Sequence, residues 1–323
     1  MKYAIIFLAM LLLGTLLPSA SFANEQNRWH IDMTVDVDEI NRGLVSTDPT
    51  VDIGIYYPSN LDEKFREMVS VDGIVREFSE AKRIFWEAGV QLKLLWVKRG
   101  YVDPKHFSIL SSATDQELPR DGYVNMYIDA ERNPAQLTDE AIAAFDSIVE
   151  FDSRNADTIY LIALQGVYMN YWETTDNGRN WALRLARTRA LSFPSYMYGD
   201  TMPNRLRGVI TLSGHDDENY RIIAHELGHK LMNVSHEYKD QAPEHEVEAD
   251  GGLMLYGDGI DIPSGEAGRW HRERLYVSPY VYRYTENGVR IQNSDYVGPG
   301  FYYDALYGSK VIEFGGTRLP GKD

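Results

Sequence analysis

The chain has 323 residues, a formal charge of −16 at pH 7 with histidine neutral, and no cysteine. That charge argues against nucleic acid and anionic membrane surfaces as partners, because both repel an acidic protein. The lack of cysteine excludes disulfides, a lipid-modified N-terminal cysteine and a thiol-based latency switch.

Met1-Lys2, an apolar run from Ala4 to Leu17, Pro18 and then Ser21-Phe22-Ala23 read as a secretory signal peptide over 1–23, cleaved after Ala23. The run is too short for a good transmembrane helix and no other stretch is long and apolar enough, so no membrane span is expected. A cysteine-free exported chain reads most simply as a bacterial protein, secreted or periplasmic. About 300 residues would remain, enough for one large domain or two closely packed subdomains.

Along that remainder, residues 51–57 alternate like a strand. Residues 71–88 have the spacing of an amphipathic helix, with Ile74, Phe78, Ala81 and Phe85 on one face; Gly89 ends it and 91–97 follows as a strand. Residues 123–128 and 158–164 read as further strands, with a capped helix at 138–145 between them. Residues 166–207 form a long, weakly patterned connection. Arg179, Arg184, Arg187 and Arg189 cluster in it, either as a solvated helix face or as cations for acidic side chains of a substrate. Residues 208–213 read as a short strand. Beyond it, 214–219 offers N-cap residues and acidic side chains for the first turn of a helix.

That helix carries His225-Glu226-Leu227-Gly228-His229. Positions four apart on a helix differ by about 40° around the axis and about 6 Å along it, so both imidazoles can reach one metal ion. Glu226 then lies beside a metal-bound water instead of on the metal. This is the arrangement for zinc-assisted hydrolysis, in which the metal acidifies water and polarises a carbonyl while the carboxylate moves the proton. The bland alternative is a solvated helix face with incidental histidines. Hydrolytic zinc usually takes three protein ligands. His236 follows His229 by seven residues, which on a continuing helix would place it about 10 Å further along the axis. The chain must turn first for His236 to return, and Asn233 is the residue best able to adopt the left-handed conformation that ends a helix.

At these residues the chain resembles the metzincin clan of zinc peptidases, whose pattern is HExxHxxGxxH followed by a methionine-containing turn. Here the stretch reads HELGHKLMNVSHE: Met232 holds the strict glycine position, Ser235 the strict third-histidine position, and His236 comes one place late. Downstream, Gly251-Gly252-Leu253-Met254-Leu255-Tyr256-Gly257 is similar to the methionine turn. The resemblance implies that Met254 lies beneath the metal and that Tyr256 coordinates it or stabilises an oxyanion. A rival resemblance is to gluzincins, where a second helix donates a glutamate and an aspartate four residues later supports the first histidine. Glu246 and Asp250 have that spacing, so His236 and Glu246 both stand as third ligand. His245 is expected to be exposed, and His30, His106, His215 and His271 are isolated and read as ordinary.

The metzincin resemblance covers roughly residues 50–260, including 81–90, which are similar to the clan's first helix and helix-to-strand corner. It implies an α/β (α+β) fold: a metzincin-like catalytic domain with a twisted mixed sheet, backing helices, a zinc-binding helix and a smaller C-terminal subdomain. On that reading 24–232 is the N-terminal catalytic subdomain and 233–323 the C-terminal one, closed by a β-hairpin over 281–292 that turns on Asn287-Gly288. The functional expectation is a secreted zinc endopeptidase acting on protein or peptide substrates, with His225, His229 and His236 on Zn2+ and Glu226 as general base. The alternatives are a gluzincin-type peptidase using Glu246, or a non-proteolytic zinc-binding secreted protein. An intact Glu226 favours catalysis, since zinc binding alone does not need it.

Overall fold

The computed structural model describes residues 29–113, 136–151, 157–175, 180–194, 198, 202–214, 220–233, 252–254, 261–265, 268–292, 300–304 and 310–314. Its centre is a mixed sheet. Strands β1 (His30–Ile31), β2 (Thr50–Pro58), β3 (Gln91–Gly100), β6 (Ile159–Ala163), β9 (Ala190–Leu191) and β10 (Val209–Leu212) lie in the order β1-β3-β2-β6-β10-β9. The inner four are parallel, while β1 and β9 run antiparallel at the two ends. All nine residues of β2 are buried. A strand covered on both faces buries the residues between its alternating apolar positions as well, Asp52 among them.

The parallel pairing of β2 and β3 requires a crossover, supplied by α2 (Glu63–Met68) and α3 (Val71–Glu87). Helix α3 starts where the Ser70 hydroxyl accepts the Gly73 N–H at 3.0 Å, and it stops at Gly89, whose φ of +84° suits a residue without a Cβ. Its predicted face is the buried one: Ile74, Phe78, Ala81 and Phe85 are all at most 1% exposed. Burying Ile74, Phe78 and Phe85 contributes roughly 1.5–3 kcal/mol each relative to exposure. The helix bearing the two histidines, α5 (Ile222–Met232), packs against α3.

A second sheet has the order β5-β4-β7-β8, built from β4 (Ser108–Ala113), β5 (Gln136–Leu137), β7 (Gly166–Thr175) and β8 (Asn180–Thr188). Here the structure corrects the reading of 166–207 as a weakly patterned connection. Nine cross-strand pairs, from Val167↔Thr188 to Thr175↔Asn180, make it a long antiparallel pair that leads directly into the edge strand β9. Arg184 and Arg187 therefore lie on a strand, not on a helix face, and Arg189 sits between β8 and β9. The only local sign was the short alternation Leu183-Arg184-Leu185; the pairing that realises it joins residues up to 21 positions apart. Arg179 and the strand expected at 123–128 fall outside the described residues.

Helix α4 (Asp139–Ile148) is capped as expected, the Thr138 hydroxyl accepting the Ala141 N–H at 3.0 Å. A short α1 (Val37–Ile40) precedes β2. After α5 come α6 (Arg269–Val277), the hairpin β11 (Tyr282–Tyr284) and β12 (Arg290–Gln292), and the pair β13 (Gly300–Asp304) and β14 (Lys310–Phe314). The first hairpin turns through Gly288 at φ +74° and joins the central sheet by the pair Tyr282↔Thr50. No helix among the described residues is long and apolar enough to cross a membrane.

Candidate metal centre

Helix α5 begins later than the acidic stretch before it suggested. Its N-cap is Arg221, with no side-chain cap, and 215–219 fall outside the described residues. Burial, not capping, holds this helix. Ile223, Ala224, Leu227, Leu231 and Met232 are at most 1% exposed. At its other end Asn233 takes φ 51° and ψ 54°, the left-handed conformation expected of it, so the chain leaves the helix axis there.

His225 and His229 meet edge to face, with ring centroids 4.7 Å apart and planes at 86°. With Zn–N bonds of about 2.0–2.1 Å and about 1.1 Å from nitrogen to ring centre, two tetrahedral imidazole ligands would have centroids about 5 Å apart. The observed spacing fits a shared ion. The His225 Nδ1–H donates to the Leu253 carbonyl at 3.0 Å, which leaves Nε2 with its lone pair for a metal. Burial also pushes the His225 pKa down, toward the neutral form that ligates.

Leu253 belongs to the segment similar to a methionine turn. Met254 beside it is fully buried, and its sulfur lies 2.4 Å from where a Cβ on Gly228 would stand. Gly228 is the residue immediately before His229, so the turn presses on the helix between its two histidines.

Glu226 is 9% exposed. Burial pushes its pKa up to about 7, while Ser192 and the Lys230 charge pull the other way. Ser192 directly follows β9 and is buried against the carboxylate, although its hydroxyl has no well-formed hydrogen bond. Lys230 is itself buried and donates to the Arg207 carbonyl at 2.6 Å and the Phe193 carbonyl at 3.2 Å. Desolvation pushes its pKa down. The amine thus ties the histidine helix to the chain leaving the edge strand, and it brings a cation near the carboxylate.

His236, Glu246, Asp250 and Tyr256 lie outside the described residues. Among the described residues no three His, Cys, Asp or Glu side chains converge on one point; the described part of the centre is the His225–His229 pair with Glu226 beside it. Arg187, expected either in solvent or on a substrate, donates to the Gln165 and Ser213 carbonyls at 2.7 and 3.3 Å. His106 and His271 are buried, the latter on the helix that packs against the end of α5, and His30 is exposed.

Sequence reading missed three contributors: Ser192, Lys230 and the Leu253 carbonyl. Only Lys230 carried a usable signal, its i, i+4 spacing from Glu226. No protein-family model matches this chain, and no curated protein matches it.

Proposed function

We propose that the chain is a zinc-dependent peptidase of metzincin type, exported from the cell that makes it. The observation that carries this reading is the pairing of His225 and His229 at ligand spacing, with His225 oriented by the Leu253 carbonyl and Glu226 next in sequence. The order of the central sheet, with an antiparallel edge strand beside a helix that follows an inner parallel strand, supports the same reading. So does the left-handed Asn233, which gives the chain the turn that a returning His236 needs.

When bound, zinc supplies Lewis acidity that polarises a substrate carbonyl and acidifies water. The chain's own residues do the rest. His225 and His229 hold the ion from one helix face, with His236 as the proposed third ligand. Glu226 takes the proton from the attacking water and delivers it to the leaving nitrogen. Burial raises its pKa to about 7, which suits a group that must both accept and return a proton near neutrality. The cation of a bound metal would oppose that rise and favour the ionised base. Among the described strands β9 ends the sheet, with Ser192 directly after it against Glu226, and an edge strand offers backbone groups to which an extended peptide can pair. The substrate class proposed is therefore an extended peptide or an unfolded segment of protein.

The test is metal analysis together with a peptide-library digest of three proteins. Wild type should hold about one zinc per chain and cleave peptides. His229→Ala should lose the metal. Glu226→Gln should keep it and lose hydrolysis by several orders of magnitude. Full zinc occupancy in His229→Ala would sink the metal site. Zinc in the wild type with no cleavage of any peptide would point to the non-proteolytic zinc-binding alternative.

A further inference from the structure

At the start of the histidine helix lies an ion network that the proposed chemistry does not use. The Arg83 guanidinium, on α3, donates to both Asp261 carboxylate oxygens, at 2.9 and 3.1 Å. Glu80 and Glu87, a turn to either side of it on the same helix, also accept from it at 2.7 and 2.9 Å, which orients the guanidinium. Arg221 reaches the same Asp261 carboxylate at 3.3 Å and Glu80 at 3.9 Å. One acid from the segment after the methionine-bearing turn is thus gripped by cations from two helices.

These contacts close a ring through the metal centre. Asp261 forms a parallel β-bridge with Gly252. Gly252 is bonded to Leu253, whose carbonyl accepts the His225 Nδ1–H. The His225 backbone N–H donates to the Arg221 carbonyl at 2.9 Å, and the Arg221 side chain returns to Asp261. Arg83 and Asp261 are 41% and 34% exposed, and ion pairs so open to water are individually weak sources of stability. A closed ring of contacts can still constrain position, and this one contains the Leu253 carbonyl and the imidazole it faces.

We propose that Asp261, clasped by Arg83 and Arg221, is a positioning residue for His225, acting through Gly252 and the Leu253 carbonyl to set the ring's tautomer and direction. Its effect on metal affinity rests on the reading of His225 as a ligand. Its effect on the His225 hydrogen bond does not.

Two measurements on full-length mature protein keep these apart. Zinc affinity is read by competition with a chromophoric chelator, and the His225 Nδ1–H is followed by 15N-resolved NMR of the metal-free protein. Variants are Asp261→Asn, Asp261→Glu and, as a control, Asp146→Asn, which breaks the comparably exposed Arg205–Asp146 pair elsewhere. Asp261→Asn should weaken zinc binding by about 10- to 100-fold, the usual cost of losing support behind a ligand. It should also broaden or shift the Nδ1–H signal. Asp261→Glu should recover most of both, and Asp146→Asn should change neither. Zinc affinity within twofold of wild type in Asp261→Asn, or an equal loss in Asp146→Asn, overturns the proposal. If wild type binds no zinc, the metal reading fails by itself. The NMR signal then decides: altered in Asp261→Asn supports the clasp, and unchanged refutes it.

Discussion

Met254 and Gly228 are packed so closely that no side chain fits between them: the Met254 sulfur stands 2.4 Å from an ideal Cβ on Gly228. The Met232 methyl and a Leu253 methyl close the space at 3.3 and 3.4 Å. A glycine in mid-helix costs about 0.8–1 kcal/mol relative to alanine, so its presence here needs a reason. The close approach of the turn is that reason.

Gly228→Ala tests which term wins. Helix propensity favours the substitution by about 1 kcal/mol, whereas forcing a methyl into a filled core costs roughly 1–3 kcal/mol. Met254 is fully buried and has nowhere to move without shifting its neighbours. The expected outcome is a net loss of about 1 kcal/mol in denaturant unfolding, with weaker metal binding because Leu253 moves with Met254. A more stable variant would show that the turn yields easily.

The exit of helix α5 is held by Arg274 from α6. This arginine is 4% exposed; its Nε donates to the Met232 carbonyl at 2.7 Å and a terminal nitrogen reaches the Asn233 carbonyl at 3.4 Å. Carbonyls at a helix C-terminus lack intrahelical partners and carry partial negative charge, so a buried cation there satisfies both needs. Arg274→Met should destabilise the apo protein by about 2–4 kcal/mol, since it strips partners from buried carbonyls. Arg274→Lys should restore only part of this, because an ammonium lacks the planar fork. Equilibrium unfolding of the three proteins gives the answer directly.

Asp32 supplies a pH signature. Burial pushes its carboxyl up, but the Thr34 hydroxyl, Arg99 and the Thr34 N–H together outweigh that and leave the pKa below the ordinary 3.8. A folded-state value below the unfolded one gives stability that is present above the unfolded pKa and lost as pH falls through the folded pKa. Asp32→Asn should therefore cost roughly 1–3 kcal/mol at neutral pH, with the gap to wild type narrowing below about pH 4. Denaturant midpoints measured across that range check it; a gap independent of pH would mean that the charge is not what matters.

The third ligand separates the two families the sequence resembles. With the helix ended by a left-handed Asn233, His236→Ala should weaken zinc binding strongly and Glu246→Gln should barely change it. Asn233→Gly should be tolerated, since glycine accepts the same backbone conformation, whereas Asn233→Val should be costly. A larger affinity loss in Glu246→Gln than in His236→Ala would favour the gluzincin arrangement.

Much of the frame was legible in the sequence because it depends on short-range rules. The buried face of α3, its stop at Gly89, the cap at Thr138, the hairpin turning at Gly288 and the left-handed Asn233 all follow from periodicity or backbone sterics within a few residues. The i, i+4 histidine pair belongs to the same class: helix geometry alone brings both rings to one point. Tertiary structure alone decided the rest. The β7–β8 pair and the strand setting of Arg184 and Arg187 depend on pairing between distant segments. The Leu253 carbonyl behind His225 comes from 28 residues away and carries no side-chain signature. Asp261 meets Arg83 across 178 positions. The desolvation that raises Glu226 arises where the helix, the edge strand's exit and Lys230 close around it. A sequence names the residues able to do this chemistry; burial and long-range contact set their charge state and direction, and both are properties of the folded packing.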